Sequence, residues 1–167
     1  LEVGAGMYAS PFNSGCVVNQ LDCVVLGATE MDTRFNVNVV TGSDGHIMGG
    51  SGGHSDAAAG AKLTIVTANL LRSRLPILRD DIVTITTPGE TVDILVTEYG
   101  IAVNPRRQDL IERFTAAGLP LMTIEQMKSL AEEIAGVPEP ISLSEKIIAV
   151  VEYRDGTIID VVYQPAG

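Results

Sequence analysis

A glycine-rich stretch, GGSGGHSDAAAGAK from Gly49 to Lys62, constrains this sequence more than any other segment. Glycines carry no side chain, so backbone N–H groups in such a stretch can approach a ligand closely. The small residues that follow predict a helix over 57–61, with Ser55 or Asp56 as its N-cap. A glycine loop that leads into a helix N-terminus is a favourable place for an anion or a developing oxyanion.

Two common nucleotide motifs do not fit this stretch. It does not end in the Gly-Lys-Ser/Thr of a phosphate-binding P-loop, and its spacing differs from the dinucleotide fingerprint. The net charge of −10 argues against non-specific binding to nucleic acid or to anionic membranes. An anionic ligand would therefore depend on local donors, such as the backbone amides of the glycine loop.

Length and composition indicate one globular domain. The 167 residues are enough for a hydrophobic core, and no apolar run approaches the ~20 residues that span a bilayer. The opening residues lack the features of a signal peptide, so we expect a cytoplasmic protein. Two isolated cysteines and two histidines without carboxylates at ligand spacing predict neither a disulfide framework nor a metal site.

Hydrophobic patterning predicts an α/β domain with a mainly parallel sheet. Buried strands are predicted at 21–27 and 63–68, a half-exposed strand at 36–40 and further strands at 82–85 and 94–97, with 69–81 as a loop or surface turn. Two amphipathic helices follow; Gly118 ends the first, and a Thr-x-x-Gln capping box at Thr123 begins the second. Arg154-Asp155-Gly156 between two β-rich runs predicts a terminal hairpin.

Each candidate site residue also has an ordinary structural interpretation. His54 is either an acid/base group or a loop histidine bonded to backbone, and Asp56 is more often an N-cap. Asn36 and Asn38 share a strand face and line a polar pocket or face water. Glu98 follows a strand, at the end of a sheet where α/β proteins bind ligands, and is otherwise a solvated or capping glutamate. Arginines at 72, 74, 106 and 107 are solvated by default, although one of them could bind a carboxylate.

Several segments, in this order, resemble the C-terminal portion of the citrate lyase alpha subunit. They are FNVNVVTGSDG, SGGHSDAAAGAKLTIV, TPGETVDILVTEYGIAVNP and KIIAVVEYRDGTIIDVVYQP. The resemblance runs from about Gln20 onward. It implies a CoA-transferase-like (sugar-phosphate isomerase-like) lobe with a mainly parallel sheet, helices on both faces and a C-terminal β-hairpin. It further implies that residues 1–167 are a single lobe, a C-terminal fragment of a longer two-lobe chain.

The resemblance also implies a reaction, in which citrate replaces acetate on the acetylated carrier protein. The thioester belongs to a phosphoribosyl-dephospho-CoA group on the gamma subunit, or to acetyl-CoA, so no cofactor is expected on this chain. The expected partners are the gamma (acyl carrier protein) and beta subunits and citrate, in an oligomer. Because the active site of the family lies between lobes, we expect the isolated fragment to be inactive. Citrate and citramalate are not distinguished.

The candidate site residues follow from this resemblance together with the loop pattern. The catalytic assignments are Gly52, Gly53 and His54, whose amides would stabilise the oxyanion. The substrate-binding assignments are Ser51, Asp56, Asn36, Asn38 and Glu98. Two alternatives stay open: a classical CoA transferase or acyl-CoA hydrolase with an upstream glutamate nucleophile, and a non-catalytic ligand-binding or assembly domain.

Overall fold

The computed structural model describes residues 2–166, which form four α-helices and eleven strands. The helices are α1 (Ala5–Ala9), α2 (His54–Gly60), α3 (Gln108–Ala116) and α4 (Ile124–Ala135), and short 3-10 turns lie at Val17–Gln20 and Gly89–Thr91. The strands are β1 (Val24–Gly27), β2 (Glu30–Asp32), β3 (Val37–Asn38), β4 (Thr64–Thr67), β5 (Leu71–Arg72), β6 (Leu75–Pro76), β7 (Leu78–Arg79), β8 (Ile94–Thr97), β9 (Gly100–Val103), β10 (Leu143–Glu152) and β11 (Ile158–Pro165). None of the helices in the described residues is long and apolar enough to cross a membrane.

The main sheet has the strand order β1-β4-β8-β9. The pairs β1–β4 and β4–β8 are parallel, and β9 turns back antiparallel to β8. The carboxyl ends of the three parallel strands therefore meet at one edge, where Gly27, Thr67 and Thr97 lie. This edge is the usual ligand-binding end of an open α/β sheet.

The remaining strands form three small sheets. Strand β2 lies between β3 and β7, β5 pairs with β6, and β10 with β11 forms the terminal hairpin, which is antiparallel. The hairpin base packs over a turn: a Cβ built on Gly45 would lie 3.0 Å from side-chain atoms of both Ile141 and Leu143. Its middle is tied to the body by Asp160 Oδ2, which accepts from the Ile85 amide at 2.6 Å.

The core consists of two clusters. The larger joins the main sheet, β2, β7 and helix α4, and its members include Val66, Leu95 and Met127, each fully buried. The smaller places α2 against β1 and the 3-10 turn before it, through Ala57, Val24 and Val18.

The predicted class, an α/β fold with a mainly parallel sheet and a terminal hairpin, is confirmed. The capping box forms as predicted: Thr123 Oγ1 accepts from the Gln126 amide, and the Gln126 side chain accepts from the Thr123 amide. Two local predictions were wrong. Residues 69–81 hold three two-residue strands rather than a surface loop, because Leu78 is drawn into the core. Residues 82–85 form no strand; from this segment onward threonine side chains pack inward, and Thr84 is fully buried.

Candidate functional site

The glycine loop closes into a tight turn immediately before α2. The His54 amide donates to the Ser51 carbonyl at 3.1 Å, and Gly52 has a positive φ of 55°, which favours glycine. Helix α2 therefore begins at His54 with Gly53 as its N-cap and no side-chain cap. The predicted N-cap at Ser55 or Asp56 was wrong, because this turn starts the helix earlier than the capping rule suggested.

Both ring nitrogens of His54 are engaged. Nε2 lies 2.8 Å from the Gly27 carbonyl at the end of β1, and Nδ1 lies 2.7 Å from Thr87 Oγ1. A carbonyl only accepts, so Nε2 donates, and in the neutral ring Nδ1 accepts the Thr87 hydroxyl proton. Burial lowers the pKa of His54, and the bond to Gly27 opposes that shift. The ring is thus neutral near pH 7 and joins the loop to the carboxyl edge of the sheet.

Of the three amides expected to stabilise an oxyanion, one is bonded within the described chain and two are not. The His54 amide is occupied by Ser51, so it is not free to bind a ligand. Within residues 2–166, the amides of Gly52 and Gly53 make no hydrogen bond. Gly52 is exposed and Gly53 is half-buried, so two adjacent N–H groups remain open to a ligand.

Asp56 lies inside α2 and faces the terminal hairpin. Its Oδ1 is buried without a hydrogen bond, and the nearest cation is Arg154 Nε at 3.6 Å. Burial raises the pKa of Asp56, while the charge of Arg154 lowers it. Asp56 therefore links the helix to the hairpin tip in this structure, which is a different position from that of a capping residue.

Asn36 and Asn38 do not line a common pocket. Asn38 is fully buried, donates to Glu30 Oε2 and Thr41 Oγ1, and accepts from the amides of Val40 and Thr41. Asn36 precedes β3, where its Nδ2 donates to Asp32 Oδ2 and its Oδ1 accepts from the Gly89 amide. Both amides satisfy turns of the chain, so the expectation of a shared polar face does not hold.

Glu98 lies where expected, just past the carboxyl end of β8. Its Oε2 accepts from the Leu70 amide at 2.9 Å, which fixes the segment that leaves β4. The residue is exposed, and its second oxygen has no hydrogen bond among the described residues. Glu98 and His54 are thus both attached to the same edge of the main sheet.

Sequence reasoning missed Thr87 and Gly27 as the partners of the His54 ring. They are 33 and 27 residues away along the chain. A threonine among other threonines and a glycine at a strand end carry no local signal of this contact. Across residues 2–166, the structure contains no group of three His, Cys, Asp or Glu side chains that could hold a metal ion.

Comparison with known proteins places the chain in a family. The family model for the citrate lyase alpha subunit (CitF) matches residues 1–165. The citrate lyase alpha chain of Klebsiella pneumoniae is 52% identical over 98% of this chain and 32% of its own length. That of Escherichia coli K12 is 50% identical over the same shares.

A solved structure agrees with these sequence matches. It is an alpha subunit of citrate lyase from Streptococcus mutans in complex with citrate, 53% identical, with a TM-score of 0.96 over 100% of this chain and 33% of that one. The chain therefore spans about a third of the length of the relatives it matches. The C-terminal placement expected from the sequence is not supported by these matches. This chain belongs to the citrate lyase alpha subunit family.

Proposed function

We propose that this chain is part of a transferase that exchanges citrate for acetate on the thioester of a CoA-like carrier group. The observation that carries this proposal is the 52% identity to a citrate lyase alpha chain over 98% of the chain. The acyl acceptor is citrate, in keeping with the ligand named for the S. mutans relative. The carrier group is the phosphoribosyl-dephospho-CoA of the gamma subunit, and the beta subunit uses the citryl product.

The exchange we propose proceeds in two balanced steps. A citrate carboxylate oxygen attacks the acetyl thioester carbonyl and the C–S bond breaks. The carrier thiolate is the leaving group, and the other product is a mixed anhydride of acetate and citrate. The thiolate then attacks the citryl carbonyl of the anhydride, and acetate leaves. Each attack places negative charge on a carbonyl oxygen, which needs donors that are already in position.

In this proposal the amides of Gly52 and Gly53 receive that charge. They make no hydrogen bond within the described residues. In known acyl-transfer sites, one such donor contributes about 3 kcal/mol to stabilising the transition state. The neutral His54 ring is a positioning group, since both its nitrogens hold the loop to Gly27 and Thr87. The His54 amide is not a third donor, because it is bonded to the Ser51 carbonyl.

The test is citrate-dependent release of acetate from acetyl-CoA by the full-length subunit. Gly53→Ala places a Cβ at ordinary contact distance, 3.5 Å from the Ala9 side chain, so the fold should tolerate it. We expect a rate at least about tenfold lower, because the methyl group obstructs the acyl group above the amides. The matched control is Gly49→Ala, whose Cβ meets no atom within 4 Å. Equal rates in both variants, or no acetate release by the wild-type protein, would contradict the proposal.

The same assay separates the alternatives. Trapping with hydroxylamine or borohydride in the presence of acyl-CoA modifies a glutamate in a classical CoA transferase and leaves a direct-exchange enzyme unmodified. A non-catalytic binding domain would bind citrate without releasing acetate. We also propose that this 167-residue segment alone is inactive, and turnover by it alone would contradict that statement.

A further inference from the structure

A cavity of about 530 Å³ lies between β5, β7 and the turn that follows β3. Small-molecule sites commonly enclose about 300–1,000 Å³. Arg72 and Arg79 line this cavity, together with the hydroxyl residues Thr29, Ser43 and Ser73. It is separate from the His54 contacts, but Gly42 and Met48, which also line it, begin the segment that ends in the glycine loop.

Arg79 is held at the cavity wall by a buried carboxylate. Glu30 is 1% exposed, and its Oε1 lies 3.4 Å from Arg79 Nε, although neither atom makes a hydrogen bond. The other Glu30 oxygen accepts from Asn38 at 3.2 Å. The terminal guanidinium nitrogens of Arg79 make no hydrogen bond in residues 2–166 and are not among the buried unpaired atoms. Glu30 thus positions the guanidinium at Nε, and the two terminal nitrogens of Arg79 remain available to a ligand.

Arg72 is the second cation on the cavity wall, and it has no protein partner in the described residues. It is exposed, and within the described part of the chain it forms neither an ion pair nor a side-chain hydrogen bond. Within residues 2–166, Arg74, Arg113 and Lys146 also form no ion pair, but of these four cations only Arg72 lines the cavity. The acids on the cavity wall do not reach it: Asp44 is paired with His46 at 3.1 Å, and Glu139 forms no ion pair in the described chain.

We infer that this cavity binds a small polycarboxylate, with Arg72 and Arg79 each receiving a carboxylate. Guanidinium groups bind carboxylates through two parallel N–H bonds, and two of them on separate strands select a ligand with two or more carboxylates. This inference rests on the proposed function, in which that ligand is citrate. It assigns to Arg72 and Arg79 the carboxylates of citrate that do not react.

The test is calorimetric titration of the full-length subunit with citrate and, separately, with acetate. We expect Arg72→Gln to weaken citrate binding about 10- to 100-fold, because one bidentate pair is lost. The matched control is Arg74→Gln in the same turn, since Arg74 is exposed but does not line the cavity; we expect its affinity to stay within twofold. Arg79→Lys keeps a cation beside Glu30, so the fold survives, and we expect about tenfold weaker binding.

The assay of citrate-dependent acetate release from acetyl-CoA distinguishes this inference from the proposed function. If the wild-type protein binds citrate and the arginine variants bind it weakly, but no acetate is released, the cavity stands and the transferase proposal fails. If acetate is released, Arg72→Gln should raise the KM for citrate with little change in kcat. The cavity assignment is overturned if Arg72→Gln and Arg74→Gln bind citrate equally, or if acetate binds as tightly as citrate.

Discussion

The main sheet and the terminal hairpin are both built from β-branched strands, yet different forces hold them. In β8, Ile94 and Leu95 are 2% and 0% exposed, whereas Val150 and Ile158 of the hairpin are 57% and 54% exposed. The sheet is stabilised by apolar burial. The hairpin is attached at a few places, through its base over Gly45, Asp160 to the Ile85 amide, and Arg154 beside Asp56.

The attachment points of the hairpin lie at both ends of the segment that carries the glycine loop. Its base contacts the turn at Gly45. Arg154, in the turn between β10 and β11, lies 3.6 Å from Asp56 in α2. The hairpin therefore contacts both ends of the segment 45–56, while the His54 ring bonds the same segment to Gly27 of the main sheet. A region of low burial can thus determine the position of a candidate site whose main support is the rigid sheet.

The largest expected effect lies beside the sheet, at Gly89. A Cβ added there would be 2.0 Å from the Arg34 carbonyl oxygen and 2.8 Å from the Phe35 carbonyl carbon, both backbone atoms. Backbone cannot move aside as a side chain can, so we expect Gly89→Ala to lower the free energy of unfolding by about 3 kcal/mol or more. Urea unfolding followed by circular dichroism measures this, and a loss below about 1 kcal/mol would contradict the close packing.

A matched pair of truncations tests the comparison directly. Leu95→Ala removes a fully buried side chain from the core, and we expect a loss of about 2–5 kcal/mol. Val150→Ala in the hairpin removes a side chain that is 57% exposed, and we expect a change within about 0.5 kcal/mol. The two regions would not differ as we describe if the two variants unfolded at the same urea concentration.

A smaller effect is expected at the polar attachment of the hairpin. Asp160→Ala leaves the Ile85 amide without its acceptor, which should cost about 1–3 kcal/mol. Hydrogen exchange should accelerate at Ile85 and along β10 and β11, while the amides of β4 and β8 stay protected. Uniform acceleration across the chain would instead mean that the hairpin and the sheet open together.

The smallest effect concerns pH and His54. Its folded pKa lies below the ordinary value of 6.5, so between these two values the unfolded chain binds more protons than the folded one. The contribution of His54 to the free energy of unfolding should therefore be fully present above pH 6.5. It should decrease as the pH falls toward the folded pKa. His54→Gln should abolish this slope in urea titrations at each pH, and an unchanged slope would assign the dependence to another group.

Local signals in the sequence were enough for much of the fold. The capping box at Thr123, the apolar runs at 24–27, 64–67 and 94–97, and the Asp155-Gly156 turn act within a few residues, so each formed close to where it was predicted. The strand at 36–40 shrank to Val37–Asn38, because the side chains of Asp32 and Glu30 take Asn36 and Asn38 as turn partners.

The candidate site was harder to predict, since its contacts join distant parts of the chain. The glycine loop and His54 were identified from their pattern, but the alternation of Asn36 and Asn38 gave no information on their partners. Arg79 fell within a predicted loop, and its pairing with Glu30 spans two strands of a small sheet. Only the folded chain reveals that Arg79, which a buried carboxylate holds, and Arg72, which has no such partner, line the same cavity.

The double hold on the His54 ring also makes the loop observable. A proton on Nε2 that is bonded to the Gly27 carbonyl should exchange with solvent more slowly than that of a free imidazole and should give a separate downfield resonance in proton and ¹⁵N spectra. Its intensity would measure the fraction of molecules in which His54 is bonded to Gly27. Its broadening would measure exchange with molecules in which this bond is broken. The imidazole thus serves as a built-in reporter of when the amides of Gly52 and Gly53 are in position.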